Sequence, residues 1–333
     1  MKIYFAPLEG ITGYVFRNVY EECFGGTDVY FSPFISTTEK RRMRRKELND
    51  ILPENNKNIR LIPQIMGNKA EDFLRTARCI AELGYDTVNL NLGCPSRTVV
   101  SKGKGSGFLA YPAALNRFLE EVYEKSPVKI SIKTRLGKDD PEEFIGLMEI
   151  YNQYPVDELI IHPRIQTDFY NNSPDWDMFG EALGRCRMPL CYNGDIFSLE
   201  DFCRFRKRFP QVKRIMLGRG LLAHPGLADQ LAGETAGEVS GECTENKENS
   251  AQRDTSPVTR EQLHHYIVLL QERYTEVFSG EIPVLFKMKE IWGFLIESFQ
   301  NGEKFRKKIH KCQRLSDYER IREELFYTLE LKE

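Results

Sequence analysis

The stretch Asn89-Leu90-Asn91-Leu92-Gly93-Cys94-Pro95 closes an apolar, β-rich run with two amides, a glycine and a thiol. A thiol can serve as nucleophile or as general acid. No histidine stands near Cys94 in sequence, so acid–base duty fits better than a protease-like dyad. The other seven of the eight cysteines, at positions 23, 79, 186, 191, 203, 243 and 312, read as small buried apolar residues in a reduced compartment. No pair has C-x-x-C spacing, so no zinc or thioredoxin motif is present and no metal is expected. Gly103, Gly105 and Gly107 follow Cys94 and predict a mobile loop over a site.

Other strand-like runs end in similar groups. They deliver Pro7-Leu8-Glu9-Gly10, Gln64, Lys133 with Arg135, His162 with Arg164, Asn193-Gly194-Asp195 and Gly218-Arg219-Gly220. Gln64, Asn89 and Lys133 can hydrogen-bond the edge of a heteroaromatic ring bearing carbonyls, and the lysine can stabilise negative charge on a reduced ring. The two glycine turns let backbone N–H groups approach an anion, with Arg219 as a charged neighbour, which points to a phosphorylated cofactor. His162 alone would suit a core position. Beside Arg164 at a strand end, it suits a phosphate or a ring.

The elements that must position these groups follow from hydrophobic pattern. Candidate strands are Ile3–Leu8, Val29–Phe34, Leu61–Met66, Thr87–Leu92, Val128–Arg135, Glu158–Pro163, Leu190–Asn193 and Arg214–Leu217. Several are continuous apolar runs, as expected of strands covered on both faces. Helical stripes intervene, such as Phe73, Ala77, Ile80 and Ala81, or Leu115, Phe118, Leu119 and Val122. Eight strands alternating with helices predict an α/β fold, a TIM (β/α)8 barrel over residues 1–232. A doubly wound sheet is disfavoured, since no Gly-x-Gly-x-x-Gly follows the first strand. Residues 233–257 hold almost no large apolar side chains and predict a flexible linker. Beyond them, Leu263, Ile267, Leu270 and Tyr274 recur at helical spacing, and residues 258–333 predict a helical bundle domain.

The 333 residues carry 47 basic and 49 acidic side chains, a balance that excludes a non-specific nucleic-acid coat but permits a local basic face. No run approaches the ~20 apolar residues of a membrane span. The N-terminus lacks a long apolar core and carries Glu9, so a cytoplasmic, membrane-free monomer is expected.

APLEGIT, PQIMG, NLNLGCPS, SIKTRLG, HPR, YNGDI and GRG occur in the order and spacing of the tRNA-dihydrouridine synthases, and the chain resembles that family, its bacterial branch most, along essentially its whole length. The resemblance implies an FMN enzyme that reduces the C5–C6 bond of particular tRNA uridines with NADPH as electron donor. It assigns Cys94 as the proton donor to C5, with hydride going to C6. It assigns Pro7, Leu8 and Glu9 as backbone contacts to the flavin, and Gln64 and Lys133 to its ring. His162 falls to the ribityl-phosphate region, and Asn193, Gly194, Asp195, Gly218 and Arg219 to the phosphate end. Asn89, Asn91, Arg97, Lys102, Arg164, Lys287 and Lys289 are expected to meet tRNA. Leu8-Glu9 departs from the family's commoner Met-Ala, and Pro163 replaces a small residue after His162.

A base inside folded RNA must leave its stack to reach a flavin, so phosphate contacts are needed on both domains. Lys104, a cluster of Lys304, Arg306, Lys307, Lys308 and Lys311, and the basic run Lys40–Lys46 are further candidates. Two other readings predict different behaviour. A flavin barrel of the dihydroorotate dehydrogenase kind would turn over a free pyrimidine. A barrel that kept RNA binding and lost chemistry would be colourless.

Overall fold

The computed structural model describes residues 1–37, 43–239 and 257–332. Lys40, Arg41 and Arg42 of the basic run, Cys243, and residues 240–256 of the expected linker lie outside the described residues. The chain forms two compact units, each drawn from three segments. Met1–Glu9, Asp28–Asp195 and Phe205–Leu217 make the first; Gly10–Thr27, Ile196–Arg204 and Gly218–Glu333 make the second.

The first unit is built on parallel strands β1 (Lys2–Phe5), β2 (Val29–Phe31), β3 (Ile35–Ser36), β4 (Leu61–Ile62), β5 (Gln64–Met66), β6 (Thr87–Leu92), β7 (Lys129–Arg135), β8 (Leu159–His162), β9 (Leu190–Tyr192) and β10 (Arg214–Leu217). Their order is β3-β5-β6-β7-β8-β9-β10-β1-β2-β4. The expected strand Leu61–Met66 is broken in two at Pro63, and the expected strand Val29–Phe34 stops at Phe31, before Pro33, with a second piece only beyond its expected end at Ile35–Ser36; proline brings no N–H to the ladder. β2 pairs with β4 and β3 with β5, so the halves run side by side and the ten pieces close as an eight-strand ring. At the break, the Gln64 N–H donates to Ser32 Oγ at 3.0 Å. A side chain thus takes the donor that the broken ladder leaves over.

Every residue of β6 is buried, as a strand enclosed on both faces requires. Tyr4, Ala6, Val29, Phe31, Ile160, Cys191 and Met216 fill the lumen with apolar side chains. Outside the ring, helices Ala70–Glu82 and Pro112–Lys125 bury the expected stripes, and Phe73 meets Phe118 edge-on at 5.7 Å. Trp176, Phe179, Tyr192, Phe205 and Phe209 form an aromatic cluster, with Tyr192 stacked on Phe205 at 4.2 Å. The Trp176 indole N–H donates to the Tyr192 hydroxyl at 2.9 Å, which satisfies the polar handle of both rings.

The second unit is helical: Tyr14–Cys23, Arg219–Ala223, Leu227–Val239, Arg260–Val277, Glu281–Leu295, Glu303–Lys311 and Leu315–Thr328. Helix Leu227–Val239 continues past residue 232. Thr259 and Gln262 form a reciprocal capping box that starts Arg260–Val277, which then packs Tyr266 against Phe16 and Phe24. Deeper in, the Trp292 indole donates to the Tyr318 hydroxyl at 2.9 Å. Among the described residues, no helix is long and apolar enough to cross a membrane.

Candidate active site

Side chains alternate along a strand, so Asn89 and Asn91 share one face of β6. Parallel register sets Gln64 beside Asn89, Asn89 beside Ser131, and Asn91 beside Lys133. The amides join. Asn91 Nδ2 donates to Gln64 Oε1 at 2.6 Å, Gln64 Nε2 to Asn89 Oδ1 at 2.8 Å, and Asn89 Nδ2 to Ser131 Oγ at 2.9 Å. At the other end, Asn91 Oδ1 accepts the backbone N–H groups of Gly93 at 3.1 Å and Cys94 at 3.0 Å. The amide set and the thiol loop are therefore one hydrogen-bonded unit.

The segment after Cys94, expected as a loop, contains regular structure. It contains helical turns at Arg97–Val100 and Gly105–Ala110, and Gly105 to Leu109 are buried. The Cys94 carbonyl accepts both the N–H of Ser106 at 3.1 Å and its hydroxyl at 2.9 Å. Gly105 has φ +55°, and a Cβ there would lie 2.7 Å from the Cys94 carbonyl oxygen. A Cβ on Gly107 would lie 2.8 Å from the Val100 backbone. These glycines serve close packing, which sequence spacing cannot distinguish from flexibility.

Cys94 is half-buried. Burial pushes its thiol up, with Glu9 adding in the same sense, while the Ser96 N–H, Arg135 and Lys133 pull it down. Lys133 keeps some open surface, but the protein packed around it strips its water and, with Arg135 adding repulsion, brings the ammonium down to about 8. No described acceptor takes its Nζ.

Arg135 holds this corner together. The residue is 1% exposed, and its guanidinium donates to three carbonyls, those of Gly93 at 3.0 Å, Ile165 at 2.8 Å and Phe169 at 2.6 Å. Its place at the end of β7 was legible, but its partners come from segments 30 and more residues away. Nothing in spacing announces them.

At the end of β8, Arg164 is 2% exposed and its guanidinium meets His162 Nε2 at 2.9 Å and both carboxylate oxygens of Asp195. It also donates to the Asn172 carbonyl. Four of its five N–H donors are taken inside the protein, so it holds His162 and Asp195 rather than offering a free cation at the surface. Asn193 Nδ2 donates to the Met216 carbonyl at 2.8 Å. A Cβ on Gly194 would lie 2.0 Å from the Tyr192 hydroxyl, so any larger residue there must displace the Tyr192 ring.

Of the remaining candidates in the first unit, Pro7 and Leu8 are half-buried and Glu9 lies 4.0 Å from Lys46. Burial pushes the Glu9 carboxyl up, against the pull of Lys46. Asn89 is fully buried, whereas Arg97 and Lys102 are exposed on the Cys94 segment. In the second unit, Gly218 precedes helix Arg219–Ala223 and the Arg219 guanidinium lies over the Phe197 ring at 5.4 Å. Lys287 donates to the Gly10 carbonyl and pairs with Glu290. Lys289 donates to the carbonyls of His310 and Cys312. Lys304, Lys307 and Lys311 are exposed and share one helix face, whereas Lys308 pairs with Glu324 and Arg306 with Glu297 and Glu303.

Comparison with known proteins supplies the context. Residues 4–328 match the family model for dihydrouridine synthase. The chain is 29% identical over 240 residues to a tRNA-dihydrouridine(16) synthase of Aquipseudomonas alcaligenes, covering 70% of this chain and 75% of that protein. It is 28% identical to tRNA-dihydrouridine synthase B of Pasteurella multocida, over 68% of this chain and 67% of that one. A probable tRNA-dihydrouridine synthase 2 of Bacillus subtilis is also 28% identical, over 66% and 69%. Among solved structures, a morphinone reductase mutant in complex with tetrahydroNAD aligns with a TM-score of 0.51 at 13% identity, over 70% of this chain and 86% of that one. That likeness is one of fold.

Proposed function

The chain belongs to the dihydrouridine synthase family, and from that premise we propose that it reduces the C5–C6 bond of particular uridines in tRNA, with FMN as cofactor and NADPH as electron donor. The donor set fits a flavin. Lys133 carries an ammonium that no described acceptor takes; Gln64 is fully buried, and beyond its two amide bonds it keeps one N–H and one lone pair that a ring could reach only if its cover moves aside. In this reading Gln64 and Lys133 bind the ring, and Pro7, Leu8 and Glu9 contribute backbone. His162, held by Arg164, meets the ribityl-phosphate region. Asn193, Gly194, Asp195, Gly218 and Arg219 serve the phosphate end.

When bound, the reduced flavin supplies a hydride for C6 of the uracil. Cys94 supplies the proton for C5, which completes the addition across the double bond. A raised thiol pKa keeps Sγ protonated at neutral pH, the state a general acid needs. Lys133, at about 8, remains mostly cationic at neutral pH and offsets negative charge on a neighbouring ring. Asn91 meets the uracil, with Asn89 and Arg164 bracing the site from behind it. Exposed Arg97, Lys102, Lys304, Lys307 and Lys311 contact RNA phosphates, and Lys289 adds positive field while capping backbone carbonyls, whereas the charge of Lys287 is offset by Glu290.

The observation that carries this reading is the fusion of the amide set and the thiol loop into one unit beside an unclaimed, half-buried ammonium. The test is to purify the protein, record its visible spectrum and assay dihydrouridine in tRNA with NADPH. A yellow protein that converts tRNA uridine, and loses this activity on Cys94→Ala, is the expected result. Colourless protein, or turnover of free uracil without tRNA conversion, would defeat the proposal.

A further inference from the structure

We propose that Ser131 is a positioning residue for the Cys94 thiol, acting through a one-way chain of three amides. The direction of the chain is forced. The backbone N–H groups of Gly93 and Cys94 can only donate, so the Asn91 atom that meets them must be oxygen. Asn91 then offers nitrogen to Gln64 Oε1, Gln64 offers nitrogen to Asn89 Oδ1, and Asn89 offers nitrogen to Ser131 Oγ. Ser131, having accepted, turns its own proton to the Val88 carbonyl at 3.3 Å. The chain is anchored to backbone at both ends, and no amide in it can flip without setting donor against donor.

Ser131 lies two residues before Lys133 on β7, 2% exposed, and no role in the reaction falls to it. Without its hydroxyl, Asn89 Nδ2 loses its acceptor and the amide chain loses its anchor to the Val88 carbonyl. The backbone at Gly93 and Cys94 is then less firmly fixed. The inference rests on Cys94 being the reacting thiol, but its test does not need the reaction.

The experiment is timed alkylation of the full-length protein with iodoacetamide, read peptide by peptide by mass spectrometry, with exposed Cys203 as internal reference. Ser131→Ala is expected to alkylate Cys94 about threefold faster or more, as looser local structure opens more often. Cys203 should not change, and Ser131→Thr, which keeps the hydroxyl, should return Cys94 to the wild-type rate. A folded Ser131→Ala protein with the wild-type Cys94 rate overturns the proposal. Should the alanine variant not fold, site-resolved hydrogen exchange on the wild type decides. Slow exchange at the Gly93 and Cys94 amides supports the anchor, and exchange as fast as at exposed Arg97 overturns it. An alkylation contrast in proteins that leave tRNA uridine unreduced would uphold the positioning and sink the proposed activity.

Discussion

A group that gives up a proton must hold one at the working pH, and Cys94 holds its own because burial outweighs the nearby cations. Replacing it with alanine should lower tRNA reduction by about 100-fold or more, the usual reach of a positioned general acid. Lys133 sets the other limit. Its ammonium, brought down to about 8, is charged at pH 7 and lost as pH rises through 8. The pH–rate profile should therefore fall above about pH 8, and Lys133→Arg should move that fall upward. An unmoved limb would remove Lys133 from the mechanism. Glu158, at the start of β8 and far along the strand from His162, behaves differently. Burial pushes its carboxyl from 4.5 to about 7, although Arg214 at 3.0 Å and the Tyr4 hydroxyl pull the other way. The folded state then holds this proton up to about 7 while the unfolded chain releases it near 4.5, so its stabilisation is complete at low pH and lost as pH rises across that window. Melting temperatures at pH 5 and pH 7.5 should show a drop that Glu158→Gln flattens.

Single strands do little here without their neighbours. β6 places Asn89 and Asn91, but β5 and β7 supply Gln64 and Ser131, and the register of the three decides which amide meets which. Loops act with the same economy. Gly105→Ala must move either the left-handed backbone at φ +55° or the Cys94 carbonyl, so activity should fall well beyond any loss of stability. Gly194→Ala drives a Cβ into the Tyr192 hydroxyl, which the Trp176 indole and the aromatic stack hold in place. Chemical denaturation should show a loss of about 2 kcal/mol or more, the scale of overpacking in a filled interior. A neutral result would mean that the ring of Tyr192 can swing aside.

Across the whole molecule, 47 basic and 49 acidic residues nearly cancel, so RNA affinity must come from where cations sit. On helix Glu303–Lys311, acidic partners occupy Arg306 and Lys308 and leave Lys304, Lys307 and Lys311 exposed on one face. Changing these three to alanine should weaken tRNA binding and reduce the slope of log affinity against log salt by about 2, near the value for three lost phosphate contacts. A slope unchanged by the triple substitution would place the RNA elsewhere.

The sequence by itself determined the alternation of strands and helices, the helical stripes, the polar groups at strand ends and the thiol among them, because periodicity and residue type are local properties. It also carried the family resemblance. Tertiary structure alone decided that one strand breaks at Pro63, another stops before Pro33, and the pieces still close the ring, since pairing belongs to strands far apart in the chain. It alone turned Arg164 inward onto Asp195, gave Arg135 its three carbonyls, and made the glycines after Cys94 points of contact. Each depends on what lies across space from a residue, and one-dimensional spacing holds no record of that.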